Sequence, residues 1–336
     1  MPLNIAVVGT GFMGQLHART VAESPAATLA GVVDINEAAG RPVAERLGTT
    51  YYPSVSEALA DSSIDGFVVA LPDRLHEDGA VEILRAGKPV LLEKPMAHTL
   101  EVARRIAAAA EEGDARLLVG QILRYDPRYV SAAEAVKAGK IGEPLHLNAG
   151  RVASRDIGTR MNGTSSVLFY VGIHDVDAIQ WVTGQRITRV YSRAVSKLMP
   201  SLGVESEDAI LSVVDLENGG VGELFNGWTR SSDTPVQIDG RLEIFGTDGV
   251  CEVDVRDHGI KVYGKDGFEL PDGLHWPEVN DRIRGDLAAE FAHFVHALTS
   301  DTPFVISVQE AMRDVAVNDA ILRSVSSGRP EDVEVV

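Results

Sequence analysis

Only one cysteine, Cys251, occurs in the 336 residues. No disulfide can form within the chain, and no set of thiolates is available for zinc or an iron–sulfur cluster. A reducing compartment is expected. Basic residues are also in short supply: 31 Lys and Arg face 49 Asp and Glu, for a net charge of −18. No Lys/Arg-rich block interrupts that balance, and such a surface repels phosphate backbones and anionic bilayers. Nucleic acid and membrane are therefore excluded as expected partners. Long apolar runs are missing too, with no window of about 18 unbroken apolar residues. The opening MPLNIAVVGTG enters a strand without the basic start and apolar stretch of a secretion signal. The expectation is a soluble, cytoplasmic protein, and no spacing in the sequence asks for a metal.

What is present is ample core material, 45% apolar over a length that suits two domains. Up to about residue 122, short Val/Ile/Leu runs at Ile5–Val8, Leu29–Val33, Phe67–Ala70, Val90–Leu92 and Leu117–Val119 alternate with amphipathic stretches. That rhythm reads as βαβ units building a doubly wound parallel sheet, an α/β Rossmann domain over residues 1–122. From residue 123 to 336 the pattern changes to alternating segments divided by turns such as Asn218-Gly219-Gly220, Thr247-Asp248-Gly249 and Asp257-His258-Gly259. This reads as a second, α+β domain with an open, mainly antiparallel sheet, one of whose strands covers Ile260–Tyr263. Two helical stretches close the chain, and the last helix is expected to pack back near the first domain.

Gly9-Thr10-Gly11-Phe12-Met13-Gly14 follows the first strand directly and opens a helix. In that position Gly9 makes the tight turn, Gly11 admits the diphosphate, and Gly14 lets helix and strand pack closely, with Phe12 and Met13 on the first helical turn. The helix N-terminus then offers free N–H groups and partial positive charge to an anion. Asp34 ends the second strand, about 20 residues past the last glycine, where a carboxylate accepts from ribose hydroxyls and repels a 2′-phosphate. No arginine follows in Ile35-Asn36-Glu37. NAD is therefore expected as cofactor in preference to NADP, with Ile35 beside it.

Glu93-Lys94-Pro95 follows the strand Val90–Leu92, at the carboxyl end of the parallel sheet. An ammonium beside the cationic ring of NAD+ has its charged form disfavoured, so the expected Lys94 pKa falls toward a value useful for proton transfer.

These segments, with Leu71-Pro72-Asp73-Arg74-Leu75-His76, Arg124-Tyr125-Asp126-Pro127 and Gly172-Ile173-His174-Asp175-Val176-Asp177 in order, resemble the glucose-fructose oxidoreductase / inositol dehydrogenase / MocA family. The resemblance spans most of the chain. It implies NAD(P)-dependent interconversion of a secondary alcohol and a ketone on a sugar, inositol or related polyol, in a homodimer or homotetramer formed through the back of the second sheet. It also implies that Lys94 is catalytic, that Glu93 and Pro95 shape the loop around the nicotinamide ribose, that Leu71, Pro72 and His76 line the cofactor, and that His174 is the catalytic histidine. In one place the chain departs from the family. An aspartate commonly stands four residues before this histidine, and here that residue is Tyr170. A phenol hydrogen-bonds but has no charge with which to stabilise an imidazolium, so His174 is expected to be a weaker base unless Asp175 or Asp177 substitutes, and then either Lys94 dominates proton transfer or Tyr170 itself contacts substrate.

Polyols need several convergent donors and acceptors. The polar segment from Arg151 to Asn162 could supply them through Arg155 and Asn162, with Arg124 at the domain junction, and Asp175 joins His174 as a substrate contact. Trp228 suits either a sugar face or the core. Two other function classes use the same residues: a non-catalytic NAD-binding sensor, and an NAD-dependent redox lyase or glycosidase.

Overall fold

The structure, a computed structural model, describes residues 2–256, 258–265 and 267–336. The chain divides into two compact units, Met1–Ile122 with Leu274–Met312, and Leu123–Gly273 with Arg313–Val336.

In the first unit six strands, β1 (Leu3–Val8), β2 (Ala27–Val33), β3 (Thr50–Tyr52), β4 (Gly66–Val69), β5 (Val90–Glu93) and β6 (Leu117–Gly120), lie in the order β3-β2-β1-β4-β5-β6. All neighbours are parallel. Between them run α1 (Phe12–Glu23), α2 (Glu37–Leu47), α3 (Val55–Ala60), α4 (His76–Arg85) and α5 (Leu100–Glu112). β4, β5 and β6 are buried throughout, as helices on both faces of a parallel sheet require. Strand order reverses between β1 and β4, which puts the ligand crevice of such a sheet at their carboxyl ends.

The second unit carries β7 (Pro144–Ser154), β8 (Ile187–Val195), β9 (Ala209–Leu216), β10 (Val221–Arg230), β11 (Ile238–Gly246) and β12 (Val250–Asp254), ordered β12-β11-β7-β10-β9-β8, with Glu331–Asp332 added beside β8. The pairing is antiparallel except between β7 and β10, which are parallel. Its helices are α6 (Pro127–Lys137), α7 (Arg155–Met161), α8 (Ile173–Thr183) and the single turn α9 (Leu198–Ser201). Burial alternates along β9, so one face is covered. The other leaves Leu145, Tyr191, Leu211, Val213 and Val221 exposed.

Two expectations change. The strand placed at Ile260–Tyr263 is instead Val262–Gly264, paired with Gly267–Glu269 in a separate hairpin. In the turn expected at 257–259, Asp257 lies outside the described residues. The boundary at residue 123 also does not hold to the end of the chain. Leu274–Met312 belongs to the first unit, where α10 (Asp286–Ser300) buries Phe291, Phe294 and Val295. Arg116 donates to the carbonyl of Ala297 at 2.7 Å, and Glu23 accepts from the Ile283 N–H at 2.6 Å. The final helix, α11 (Val308–Ser327), begins in the first unit and ends in the second.

Candidate active site

The glycine turn after β1 has the geometry its sequence asks for. Gly9 sits at φ +93°, and a Cβ there would stand 2.5 Å from the Ala70 carbonyl oxygen. A Cβ on Gly14 would come within 2.0 Å of the Gly9 oxygen, whereas one on Gly11 would meet nothing within 4 Å. The first and third glycines thus serve packing, and the second opens a cradle. No side chain caps α1 at Gly11, so the N–H groups of its first turn have no intrahelical acceptor and face outward. That cradle fits a dinucleotide diphosphate.

Asp34 follows β2. Its carboxylate accepts from the Thr10 N–H at 3.0 Å, from the Thr10 hydroxyl and from the Asn36 N–H at 2.9 Å, which fixes its orientation before any ligand arrives. Beside it Ile35 is 91% exposed, and at the start of α1 Phe12 is 70% exposed. Large apolar side chains left in water, one next to the cradle and one next to the oriented carboxylate in sequence, suit an aromatic base and ribose. Met13 is partly covered in the first turn of α1. Leu71, after β4, lays its side chain over the glycine turn, near Gly9, and Pro72 is exposed beside it.

Glu93 and His76, expected to shape and line the cofactor site, are both buried, and their polar atoms meet neighbouring groups of the protein. Glu93 Oε1 is 2.8 Å from His17 Nε2, and Glu93 Oε2 accepts from the Lys94 N–H at 3.1 Å. Burial raises the Glu93 pKa, but the His17 hydrogen bond, with the charges of His17, Lys94 and His76, outweighs it and leaves the carboxyl below its ordinary value. His76 is wholly buried, with Nδ1 2.8 Å from the Pro95 carbonyl and Nε2 2.9 Å from the Leu71 carbonyl. Burial lowers its pKa, against the pull of both carbonyls and of Glu93 and Asp73. Between these groups Lys94 is half-buried, flanked by buried Glu93 and Pro95. Glu290, on α10, lies beneath Gly120 of β6, the register partner of Glu93. Burial, then the charges of Glu93 and Asp286, push its pKa well above the usual carboxylate range.

In the second unit His174 lies on α8, directly after a π-helical turn at Leu168–Gly172. Such turns recur at functional sites. Every residue of α8 is buried except His174 and Trp181, seven apart and therefore on one face. Tyr170, in the π turn, is half-buried. Its hydroxyl is 3.5 Å from an Arg160 guanidinium nitrogen, and its ring is 5.5 Å from that of Trp228. Trp228 is fully buried and belongs to the core.

Arg124 and Asp175, expected to bind substrate, are turned inward. Arg124 forms a two-pronged pair with Asp177, at 2.6 Å and 3.0 Å, with both side chains buried. Asp177 is thereby engaged by Arg124. Asp175 pairs with Arg151 at 3.0 Å and accepts from Asn226 at 2.9 Å. Burial still pushes its carboxyl above the ordinary value, against Arg151 and Asn226. Charges withdrawn from water need such partners, so these four residues hold α8 on its neighbours. Arg155 differs. At the start of α7 its Nε is buried without a hydrogen-bond partner among the described residues. Asn162 is exposed and ends α7 in the left-handed conformation. Sequence reasoning passed over His17 and Glu290. Of these, only His17, one turn past Gly14 on α1, had a position that could have flagged it.

Residues 3–121 match the family model described as the oxidoreductase family, NAD-binding Rossmann fold, and residues 129–252 match the GFO/IDH/MocA C-terminal domain. The chain is 30% identical to inositol 2-dehydrogenase of Rubrobacter xylanophilus, over 99% of this chain and 93% of that protein. It is 25% identical to scyllo-inositol 2-dehydrogenase (NAD(+)) of Bacillus subtilis, over 98% of this chain and 96% of that protein. Among solved structures it is similar to GenD2 from gentamicin A biosynthesis in complex with NAD, with a TM-score of 0.89 and 26% identity, over 99% of this chain and 97% of that one. Cradle, oriented acid and lysine segment agree with these matches, and the chain belongs to the Gfo/Idh/MocA family of oxidoreductases, with an NAD-binding Rossmann domain at its N-terminus.

Proposed function

We propose that this enzyme interconverts a secondary alcohol and a ketone on an inositol, a sugar or a related polyol, with NAD preferred to NADP. The observation that carries the reading is Lys94, held half-buried after β5 at the carboxyl end of the sheet whose other strand ends bear the Gly11 cradle and Asp34. The inositol dehydrogenases among its relatives support the substrate class. Preference for NAD rests on Asp34, whose oriented negative charge opposes a 2′-phosphate.

When bound, NAD supplies the acceptor for the hydride leaving the carbinol carbon. The chain supplies position and proton handling. The backbone amides at Gly11 hold the diphosphate. Lys94, in the first unit, is the residue to hold a substrate hydroxyl oxygen and take its proton, and His174, the unburied polar residue of α8, is the acid–base candidate that the second unit supplies. Tyr170 offers a hydroxyl near this histidine in sequence, and Arg155 and Asn162 offer donors to further hydroxyls. The uncovered face of the second sheet, with Leu145, Leu211, Val213 and Val221 exposed, supports assembly as a homodimer or homotetramer. A cytoplasmic location accords with the single cysteine, and among the described residues no helix is long and apolar enough to cross a membrane.

A panel of inositols, sugars and polyols, assayed by absorbance of reduced nicotinamide with NAD and with NADP, tests the reading. Reduction of NAD by at least one cyclic polyol is expected, with NADP weaker. Tight binding of NAD without turnover on any member would contradict it.

A further inference from the structure

Two buried histidines, His17 and His76, are left without a part in the chemistry, yet both rings meet the chain on either side of Lys94. We propose that His17 and His76 are positioning residues for Lys94, gripping its backbone from two sides, His17 through Glu93 and His76 through the carbonyl of Pro95. The inference rests on the role given to Lys94 above.

A lysine ammonium rides on a flexible four-carbon stem, so where it stands depends on how firmly its backbone is held. On one side, His17 Nε2 and Glu93 Oε1 are 2.8 Å apart, and the other oxygen of the same carboxylate takes the Lys94 N–H at 3.1 Å. One carboxylate therefore ties the backbone of Lys94 to α1, the helix whose N-terminus forms the diphosphate cradle. On the other side, the His76 ring stands 2.8 Å from the carbonyl oxygen of Pro95 and 2.9 Å from that of Leu71. Leu71 in turn covers the Gly9 turn. The ring is a spacer that sets the Lys94–Pro95 segment against the cofactor-lining turn. Both histidines are at 0% exposure. Placing imidazoles in dry positions is costly unless their nitrogens are used: His76 uses both, and His17 spends Nε2 on Glu93 while its Nδ1 has no partner among the described residues, so a plain packing role would be filled better by leucine or phenylalanine. A neutral ring donates to one carbonyl and the imidazolium to both. Burial favours the neutral form, so the His76 tautomer selects which oxygen is bonded at a given moment.

The test uses the full chain loaded with NAD and reads Lys94 directly. Limiting acetic anhydride is applied across a pH series, and acetylation at Lys94 is quantified by peptide mass spectrometry, with surface Lys140 as internal reference. The variants are His17→Leu, His76→Leu and, to preserve ring volume where leucine fails to fold, His17→Phe and His76→Phe, with His17→Gln and His76→Gln retaining a donor. The expected result is a changed labelling rate and pH profile at Lys94 in the Leu and Phe variants and partial return in the Gln variants. Lys140 should be unmoved and NADH affinity, read by fluorescence, should stay within about twofold. On a polyol that the wild type turns over, kcat should fall about 10- to 100-fold with KM little changed, as for a reacting group displaced by about 1 Å. Folded Leu or Phe variants in which Lys94 labels as in the wild type would overturn the proposal. Lys94→Ala separates the two readings. If that variant turns over normally, the dehydrogenase role of Lys94 fails, while the labelling result still decides the grip on its backbone.

Discussion

His17 Nε2 and Glu93 Oε1 stand 2.8 Å apart out of reach of water, joining the first helix of the dinucleotide cradle to the residue that precedes Lys94. A buried pair of this kind stabilises little relative to apolar packing, but losing one member strands the other.

Replacing His17 by Leu should therefore destabilise the first unit by about 3–5 kcal/mol. The pH dependence should move with it. The Glu93 pKa is depressed in the folded state. Its contribution is thus present above the unfolded carboxyl value and is lost as pH falls through the folded one. Without His17 the folded value rises, and the acid-side loss should begin at higher pH. Thermal unfolding between about pH 4 and pH 8 checks this, and an unchanged acid limb would contradict it.

Glu290→Gln should act in the opposite sense. Burial, Glu93 and Asp286 raise the Glu290 pKa well above its ordinary value. Its stabilising contribution is full below the unfolded value of about 4.3 and declines as pH rises toward the folded value. A neutral amide removes that decline. The variant should melt several degrees higher at about pH 8, at about 2–4 °C per kcal/mol, and equal the wild type near pH 4. A lower melting temperature at alkaline pH would refute the assignment.

The parallel sheet and its cofactor turn were legible because they depend on local requirements. Val/Ile/Leu runs buried on both faces show no alternation, and Gly9, Gly11 and Gly14 answer to contacts with the adjoining strand and helix. Helix α2 and strand β3 were harder to read. Pro42 lies inside α2 and lacks an N–H, and β3 is a three-residue edge strand. The parallel pairing of β7 with β10 is a property of topology, which local alternation does not encode. At the site, residue type pointed to Lys94, His174 and Asp34. Burial and partner choice then separated Arg124 and Asp175, each engaged by an opposite charge, from Arg155, whose Nε has no partner among the described residues. Spacing cannot tell a paired arginine from an unpaired one.

That distinction can be measured. Arg124→Leu leaves Asp177 buried without its two-pronged partner and should cost about 3–5 kcal/mol of stability in the second unit. Arg155→Leu should leave stability nearly unchanged and raise KM for a polyol substrate about tenfold, the loss of a hydrogen bond from a charged donor. Denaturant unfolding together with steady-state kinetics on both variants distinguishes the roles, and the opposite pattern would reverse the assignment.

Asp34→Ala should weaken NAD binding about 10- to 100-fold, since a charged acceptor to the ribose hydroxyls is lost, and should narrow the gap to NADP. Calorimetric titration of both coenzymes checks it. A variant that binds NAD as the wild type does would show that the oriented carboxylate plays no part in recognition.

The most direct test of the whole account is turnover of Lys94→Ala on a polyol accepted by the wild type, with NADH affinity measured on the same sample. The account predicts a fall in kcat of at least about 100-fold with coenzyme affinity kept, because proton handling is lost while the cradle is intact. Turnover within a few-fold of the wild type would contradict it.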